Sequence, residues 1–174
     1  LRDMFRRCEI WQAHVHPGCW PDCDMLPLGR IGMGWRQGRM TNFTREEQRT
    51  MMTLWCIFRA PLMMGGEMRE NDEWTLGLLT NGRVLRLLGH SHGARQVSRD
   101  AAHAAWHSFD EDGSEYLALF NLSDEPAEVG VSDEVWTKTP VSICELWGRD
   151  ELVKDCTSAV IPAHGAVLIR AEFI

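Results

Sequence analysis

Residues 44–66 read TREEQRTMMTLWCIFRAPLMMGG, and within them one kind of local order gives way to another. Thr44 is placed to cap a helix N-terminus, and Glu47, three positions on, completes a capping box. Met51, Leu54, Trp55 and Phe58 follow at i, i+3, i+4 and i+7, which predicts a helix with one buried face. Pro61 ends that helix, and Pro61 to Gly66 is a short apolar run of strand length. Upstream, CWPDCDMLPL at 19–28 is a second short apolar run around two carboxylates, which suits a buried strand end. Residues 29–43 hold Gly29, Gly32, Gly34 and Gly38 among basic residues and read as a loop. Downstream, Asn71 or Asp72 is placed to cap a helix containing Trp74, Leu76 and Leu79. Asn81-Gly82 breaks it, and Val84 to Leu88 is a further short apolar piece. Strand, helix, strand, helix over 19–88 is the pattern of a parallel sheet with crossover helices. Two strands do not make a stable parallel sheet, because such sheets are covered on both faces. This half therefore calls for more chain or for a partner. Residues 1–14, with Met4, Phe5, Cys8 and Trp11 at helical spacing, read as the end of an amphipathic helix that Pro17-Gly18 stops.

Past Gly89-His90-Ser91-His92-Gly93 the pattern changes. Trp106 to Phe109, Tyr116 to Leu122, Val141 to Trp147 and Val160 to Ile169 are strand-like, and Asp110-Glu111-Asp112-Gly113-Ser114 has the composition of a hairpin turn. Four or more such strands imply an antiparallel β sandwich. The expected division is 1–93 and 94–174.

The chain has 174 residues and a formal net charge of −7. A surface of that sign repels phosphate, so nucleic acid is not expected as a partner. No apolar run approaches the roughly 18 residues of a membrane span, so no membrane is expected either. The six cysteines, Cys8, Cys19, Cys23, Cys56, Cys144 and Cys156, are too sparse for a disulfide scaffold and contain no CxxC pair. His14 and His16 are read as loop residues before Pro17 and not as zinc ligands, and Met51, Met52, Met63 and Met64 as core filler. No metal and no cofactor is expected. Trp106, Trp136 and Trp147 are read as core. Asn42-Phe43-Thr44 and Asn121-Leu122-Ser123 are glycosylation sequons, relevant only in a secretory pathway; localisation is left open.

Asp22 and Asp24 are two apart, so on a strand they share a face. Spacing alone leaves two readings: a carboxylate pair of the kind glycosidases use, or loop caps and ion pairs with Arg30 or Arg36, which the frequency of DxD favours. Trp20-Pro21-Asp22-Cys23-Asp24-Met25-Leu26-Pro27-Leu28-Gly29 resembles the WxDPDML segment of glycoside hydrolase family 27, the α-galactosidases and α-N-acetylgalactosaminidases. The likeness continues through Thr44 to Thr50, Leu54-Trp55, Arg59 to Met63, Gly65-Gly66 and Leu78 to Asn81, and returns weakly at Pro162 to Leu168. It implies the C-terminal part of a (β/α)8 barrel, with 19–28 as the seventh strand and 61–66 as the eighth, followed by an antiparallel β domain. It also implies a retaining double displacement on terminal α-galactosides of oligosaccharides or glycoconjugates. In the family the nucleophile and the acid/base lie at the ends of the fourth and sixth strands. Both are then expected upstream of Leu1, on a missing N-terminal barrel portion, and the chain alone is expected to be inactive. By the same resemblance Asp24 and Met25 line the sugar subsite, and Trp20 and Asp22 support it. Cys23, Glu67 and Leu88-Gly89 depart from the family pattern. With the absent acids they motivate a second expectation, a non-catalytic carbohydrate-binding or structural remnant. Galactose and N-acetylgalactosamine are not distinguished, and β-L-arabinopyranosides stay within the family's range.

Overall fold

A computed structural model describes residues 1–32, 34 and 38–174. The first helix, α1 (Arg2–Trp11), buries Phe5 and Cys8, and a 3-10 turn (Gln12–His14) extends it. The expected strand at 19–28 is an extended segment with one parallel bridge, Leu26 to Met64. The Leu26 amide donates to the Met63 carbonyl (2.7 Å), and the Gly65 amide to the Leu26 carbonyl (2.9 Å). This is the parallel pairing expected of residues 19–28 and 61–66, confined to their middle. Gly66 permits it, because a β carbon there would collide with the Leu28 carbonyl. The loop of 29–43 contains a two-residue hairpin, β1 (Arg30–Ile31) with β2 (Arg39–Met40); Arg36, a candidate ion-pair partner of the aspartates, lies outside the described residues.

The capped helix is α2 (Arg45–Phe58). Thr44 accepts from the Glu47 amide, and Glu47 accepts from the Thr44 amide. The expectation of one buried face is corrected: every residue from Gln48 to Phe58 is buried. The helix is wedged between the parallel pair, a later helix and a β-sheet, so its polar positions need internal partners. Gln48 donates to the Phe43 carbonyl, Thr50 to the His164 carbonyl and Thr53 to the Arg49 carbonyl. The stop is Arg59, left-handed at φ 64°, two residues before Pro61. Its guanidinium donates to the Leu88 and Ser91 carbonyls and so ties the end of α2 to the chain some thirty residues downstream. Thr44→Ala removes the half of the capping box in which the Thr44 hydroxyl accepts from the Glu47 amide and keeps the half in which Glu47 accepts from the residue 44 amide, so a loss of about 1 kcal/mol is expected. Chemical denaturation should show it as a lower midpoint at unchanged slope.

Asp72 caps α3 (Glu73–Leu79). Asn81-Gly82 does end that helix, but it also starts another. Asn81 accepts from the Arg83 and Val84 amides, and α4 runs Gly82–His90 through the apolar piece. The β part begins at Ser91. Strands β3 (Ser91–Arg99), β4 (His103–Asp110), β5 (Glu115–Asn121), β9 (Ala166–Glu172) and β7 (Ser142–Glu145) form an antiparallel sheet in that spatial order. Strands β6 (Ala127–Gly130) and β8 (Ser158–Ile161) form a second pair. Val160 to Ile169 is therefore not one strand: Pro162 to Gly165, with His164 at φ 56°, turns the chain from one sheet into the other.

Two-residue alternation divides the large sheet between two cores. Ala104, Trp106, Tyr116, Ala118, Phe120 and Leu168 face the helices, where Phe5 meets Phe120 edge-on at 4.9 Å and Phe58 meets Trp106 at 5.9 Å. Ala105, Leu117, Leu119, Val167 and Ile169 face β6 and β8. Hence all seven residues of β5 are buried, which half-exposed antiparallel strands do not show.

Candidate functional site

The segment between Cys19 and Met25 has no ladder of its own, so its shape is set by local bonds. The Asp24 amide donates to Asp22 Oδ1 (2.7 Å), and the Met25 amide donates to Asp24 Oδ1 (2.6 Å). Asp24 itself is left-handed, φ 77°, a conformation that aspartate and asparagine tolerate better than other side-chain-bearing residues. The Asp24 carbonyl accepts from Trp55 Nε1 (3.1 Å) on α2. A same-face strand pair of carboxylates is therefore corrected to a turn in which Asp22 holds the amide two residues on and Asp24 the amide that follows it. One oxygen of each is engaged in this way.

Trp20, Asp22 and Asp24 line one cleft of about 690 Å³, walled opposite by Met4, Arg7, Cys8 and Trp11 of α1, with Phe58 also in its lining. Trp20 is 41% exposed, and the Arg59 guanidinium lies 5.8 Å from its ring centre. Met25 is not in the cleft lining; it is 56% exposed and lies against Gly65, where an added β carbon would come within 3.1 Å of the Met25 β carbon. The structure thus brings together three of the four sequence-derived site residues and sets the fourth beside them. Two positioning residues escaped the sequence reading. Trp55 has core periodicity, and only its indole nitrogen reveals the second task. Arg59 ends a helix, and nothing local says that its side chain crosses to Trp20.

The remaining candidates resolve into structure. The His14 ring packs on Trp11, and His16 makes a backbone bridge with Cys19. Among the described residues no group of three or more His, Cys, Asp or Glu side chains is placed to hold a metal ion. Among the described residues no helix is long and apolar enough to cross a membrane. Trp106 is fully buried, and Trp147 donates to Thr53 Oγ1 (2.9 Å). Of the four methionines read as core filler, Met51 and Met52 are buried, but Met63 is exposed beside the parallel pair. Asn121 is buried and its amide donates to the Glu125, Ile161 and Pro162 carbonyls, whereas Asn42 is exposed.

Two family models match the chain in order: alpha galactosidase A over residues 3–88, and the alpha galactosidase C-terminal beta sandwich domain over residues 100–171. The chain belongs to the α-galactosidase family, glycoside hydrolase family 27. This family member is 35% identical over 167 residues to α-galactosidase 2 of Arabidopsis thaliana, covering 90% of the chain and 39% of that relative. It is 28% identical over 161 residues to α-galactosidase D of Emericella nidulans, covering 88% and 23%. Among solved structures it is similar to a family 27 β-L-arabinopyranosidase from Geobacillus stearothermophilus, with a TM-score of 0.87 and 43% identity, covering 98% of the chain and 41% of that protein. The chain therefore spans well under half the length of these relatives. Its fold is the C-terminal part of the family's (β/α)8 barrel followed by the antiparallel β sandwich.

Proposed function

We propose that this chain supplies the C-terminal part of a retaining glycoside hydrolase that removes terminal α-galactosyl groups from oligosaccharides or glycoconjugates. The observation that carries the proposal is the cleft-lining turn Trp20–Asp24 next to the Leu26–Met64 parallel pair, in a family whose fold places its chemistry at strand ends. In this arrangement Asp24 accepts hydrogen bonds from sugar hydroxyls through the oxygen not held by Met25, and Met25 offers an apolar surface to a ring face. Asp22 and Trp20 hold the turn. The nucleophile and the acid/base are carried on barrel strands outside residues 1–174. In this reading the barrel unit gives way to the β unit near residue 93.

Residues 1–174 alone are expected to give no turnover of an aryl α-galactoside, because each carboxylate of the Asp22–Asp24 turn is already engaged by a backbone amide of the turn and no second placed acid accompanies them. Turnover above background that Asp24→Asn abolishes would instead make these two the catalytic pair. Sugar binding by the chain, together with no turnover in any longer form, would favour the non-catalytic remnant. A β-L-arabinopyranoside is a second substrate class, favoured by the 43% identity to the Geobacillus enzyme. It has the ring stereochemistry of an α-galactoside without the exocyclic hydroxymethyl group. The ratio of kcat/KM for the two aryl glycosides, measured with the barrel complete, decides between them.

A further inference from the structure

Two thiols outside the proposed sugar contacts point at one another. Cys8 lies on the buried face of α1, and Cys23 lies between Asp22 and Asp24. Their Sγ atoms are 3.6 Å apart across a distance of 15 residues in sequence. Both are almost fully buried, yet both line the cleft between α1 and the Cys19–Asp24 segment, so a small solute that fills the cleft reaches them. The third cysteine of that lining, Cys19, is only partly buried. Cys56, by contrast, is sealed in the core of α2 with no thiol beside it.

We propose that Cys8 and Cys23 are an oxidative modification site, a dithiol that a hydroperoxide converts to a disulfide bridging α1 to the Asp22–Asp24 turn. The Cys23 sulfur attacks one peroxide oxygen, the O–O bond breaks, and hydroxide leaves with the displaced proton as water, giving a sulfenic acid. The Cys8 sulfur then attacks the Cys23 sulfur, the S–O bond breaks, and the second water departs with the Cys8 proton. Two thiols and one hydroperoxide thus give one disulfide, water and, for hydrogen peroxide, a second water. The two sulfurs are oxidised and the two oxygens reduced. The hydrogen bond with Cys23, and burial, push the Cys8 thiol well above its ordinary range; the balance is the same with the two sulfurs exchanged. Closure to a bond of about 2.05 Å needs the sulfurs to approach by roughly 1.5 Å. Pro21 and Cys23 belong to a segment without ladder bonds, so that movement breaks no sheet. Reduction by an exogenous dithiol reverses it. The proposal does not rest on the sugar-binding roles of Asp24 and Met25.

The test uses the full 174-residue chain, reduced and then exposed to hydrogen peroxide, quenched, alkylated, digested after Glu9 and read by mass spectrometry. Cleavage there separates Cys8 from Cys23, so a bridge appears as two joined peptides. The Cys19→Ser chain keeps both members of the pair and leaves Cys8 and Cys23 as the sole thiols of those peptides. The expected result is the joined product in wild type and in Cys19→Ser, its loss after dithiothreitol, and its absence in Cys23→Ala. Failure to form it in folded Cys19→Ser, at a peroxide dose that oxidises the exposed Cys144, overturns the proposal. A wild-type bridge mapping to Cys19 does the same.

Discussion

Asp110→Ala is expected to lower stability by about 3 kcal/mol, the low end of the cost of stranding a partner of a buried ion pair. For a chain of this length that is a fall in melting temperature of roughly 10 °C. Asp110 ends β4 with its side chain wholly shielded from solvent. Arg86 of α4 grips both oxygens, at 2.8 and 2.9 Å, and the Tyr116 hydroxyl donates to Oδ2 at 2.5 Å. The Asp112 amide donates to Oδ1 in the hairpin turn. One carboxylate therefore joins a helix of the barrel unit, a strand of the β sandwich and the turn between β4 and β5. Arg86 is 37% exposed and rehydrates when its partner is lost, which argues for the low end; Tyr116 is buried and does not. Asp110→Asn keeps the shape but not the charge and should fall between wild type and alanine.

The same cluster fixes an acid limb. Burial works against ionisation of Asp110, but the hydrogen bonds from Arg86, Tyr116 and the Asp112 amide, with the Arg86 charge, outweigh it and hold the carboxyl well below the usual carboxylate range. A folded-state pKa below the unfolded value of about 3.9 means stability that is present above that value and lost as pH falls through the folded one. Stability measured from pH 5 downward should therefore drop more steeply for wild type than for Asp110→Asn, and the two curves should converge in acid. Parallel curves would remove Asp110 from the acid limb.

Asp110 also illustrates what a sequence hides. DEDGS is legible as a turn, because Gly113 supplies the positive φ and the aspartates cap amides within the segment. That the first of those aspartates also clamps a helix more than twenty residues upstream is a tertiary fact. The same division runs through the rest of the chain. The capping box of Thr44 and Glu47 is local and was readable to the residue. Asn81-Gly82 carries a turn signal and a cap signal at once, and only packing of Val84 and Leu87 beneath α2 selects the helix. The apolar stretch from Val160 to Ile169 looks continuous, although Pro162-Ala163-His164-Gly165 is turn chemistry that its apolar flanks outweighed. At the candidate site, a motif singled out Trp20, Asp22, Asp24 and Met25, and the first three line one cleft. The left-handed Asp24, the indole of Trp55 behind it and the Cys8–Cys23 contact depend on which elements meet, which no local pattern encodes.

The left-handed conformation makes the proposed role of Asp24 separable from a structural one. In the longer, barrel-containing form proposed above, Asp24→Asn should lower kcat/KM about ten- to a hundredfold. Loss of a charge-assisted hydrogen bond to a sugar hydroxyl costs roughly 1.5–3 kcal/mol. A catalytic nucleophile would cost orders of magnitude more, so the size of the effect distinguishes binding from chemistry. Asparagine adopts φ near 77° readily and retains an oxygen for the Met25 amide, so the turn should survive and the melting temperature should hardly move. Alanine loses that acceptor, strains the backbone and empties space beside Met25, so Asp24→Ala should lose both activity and stability. Asp22→Asn provides the contrast. Its oxygen holds the Asp24 amide and, as proposed, does not touch sugar, so its loss should appear in the melting temperature more than in KM. Steady-state kinetics and thermal melts of the three variants give the pattern. A normal kcat/KM for Asp24→Asn, with a folded protein, would take Asp24 out of the sugar site, because no other property of that substitution compensates for a lost charge at a hydroxyl contact.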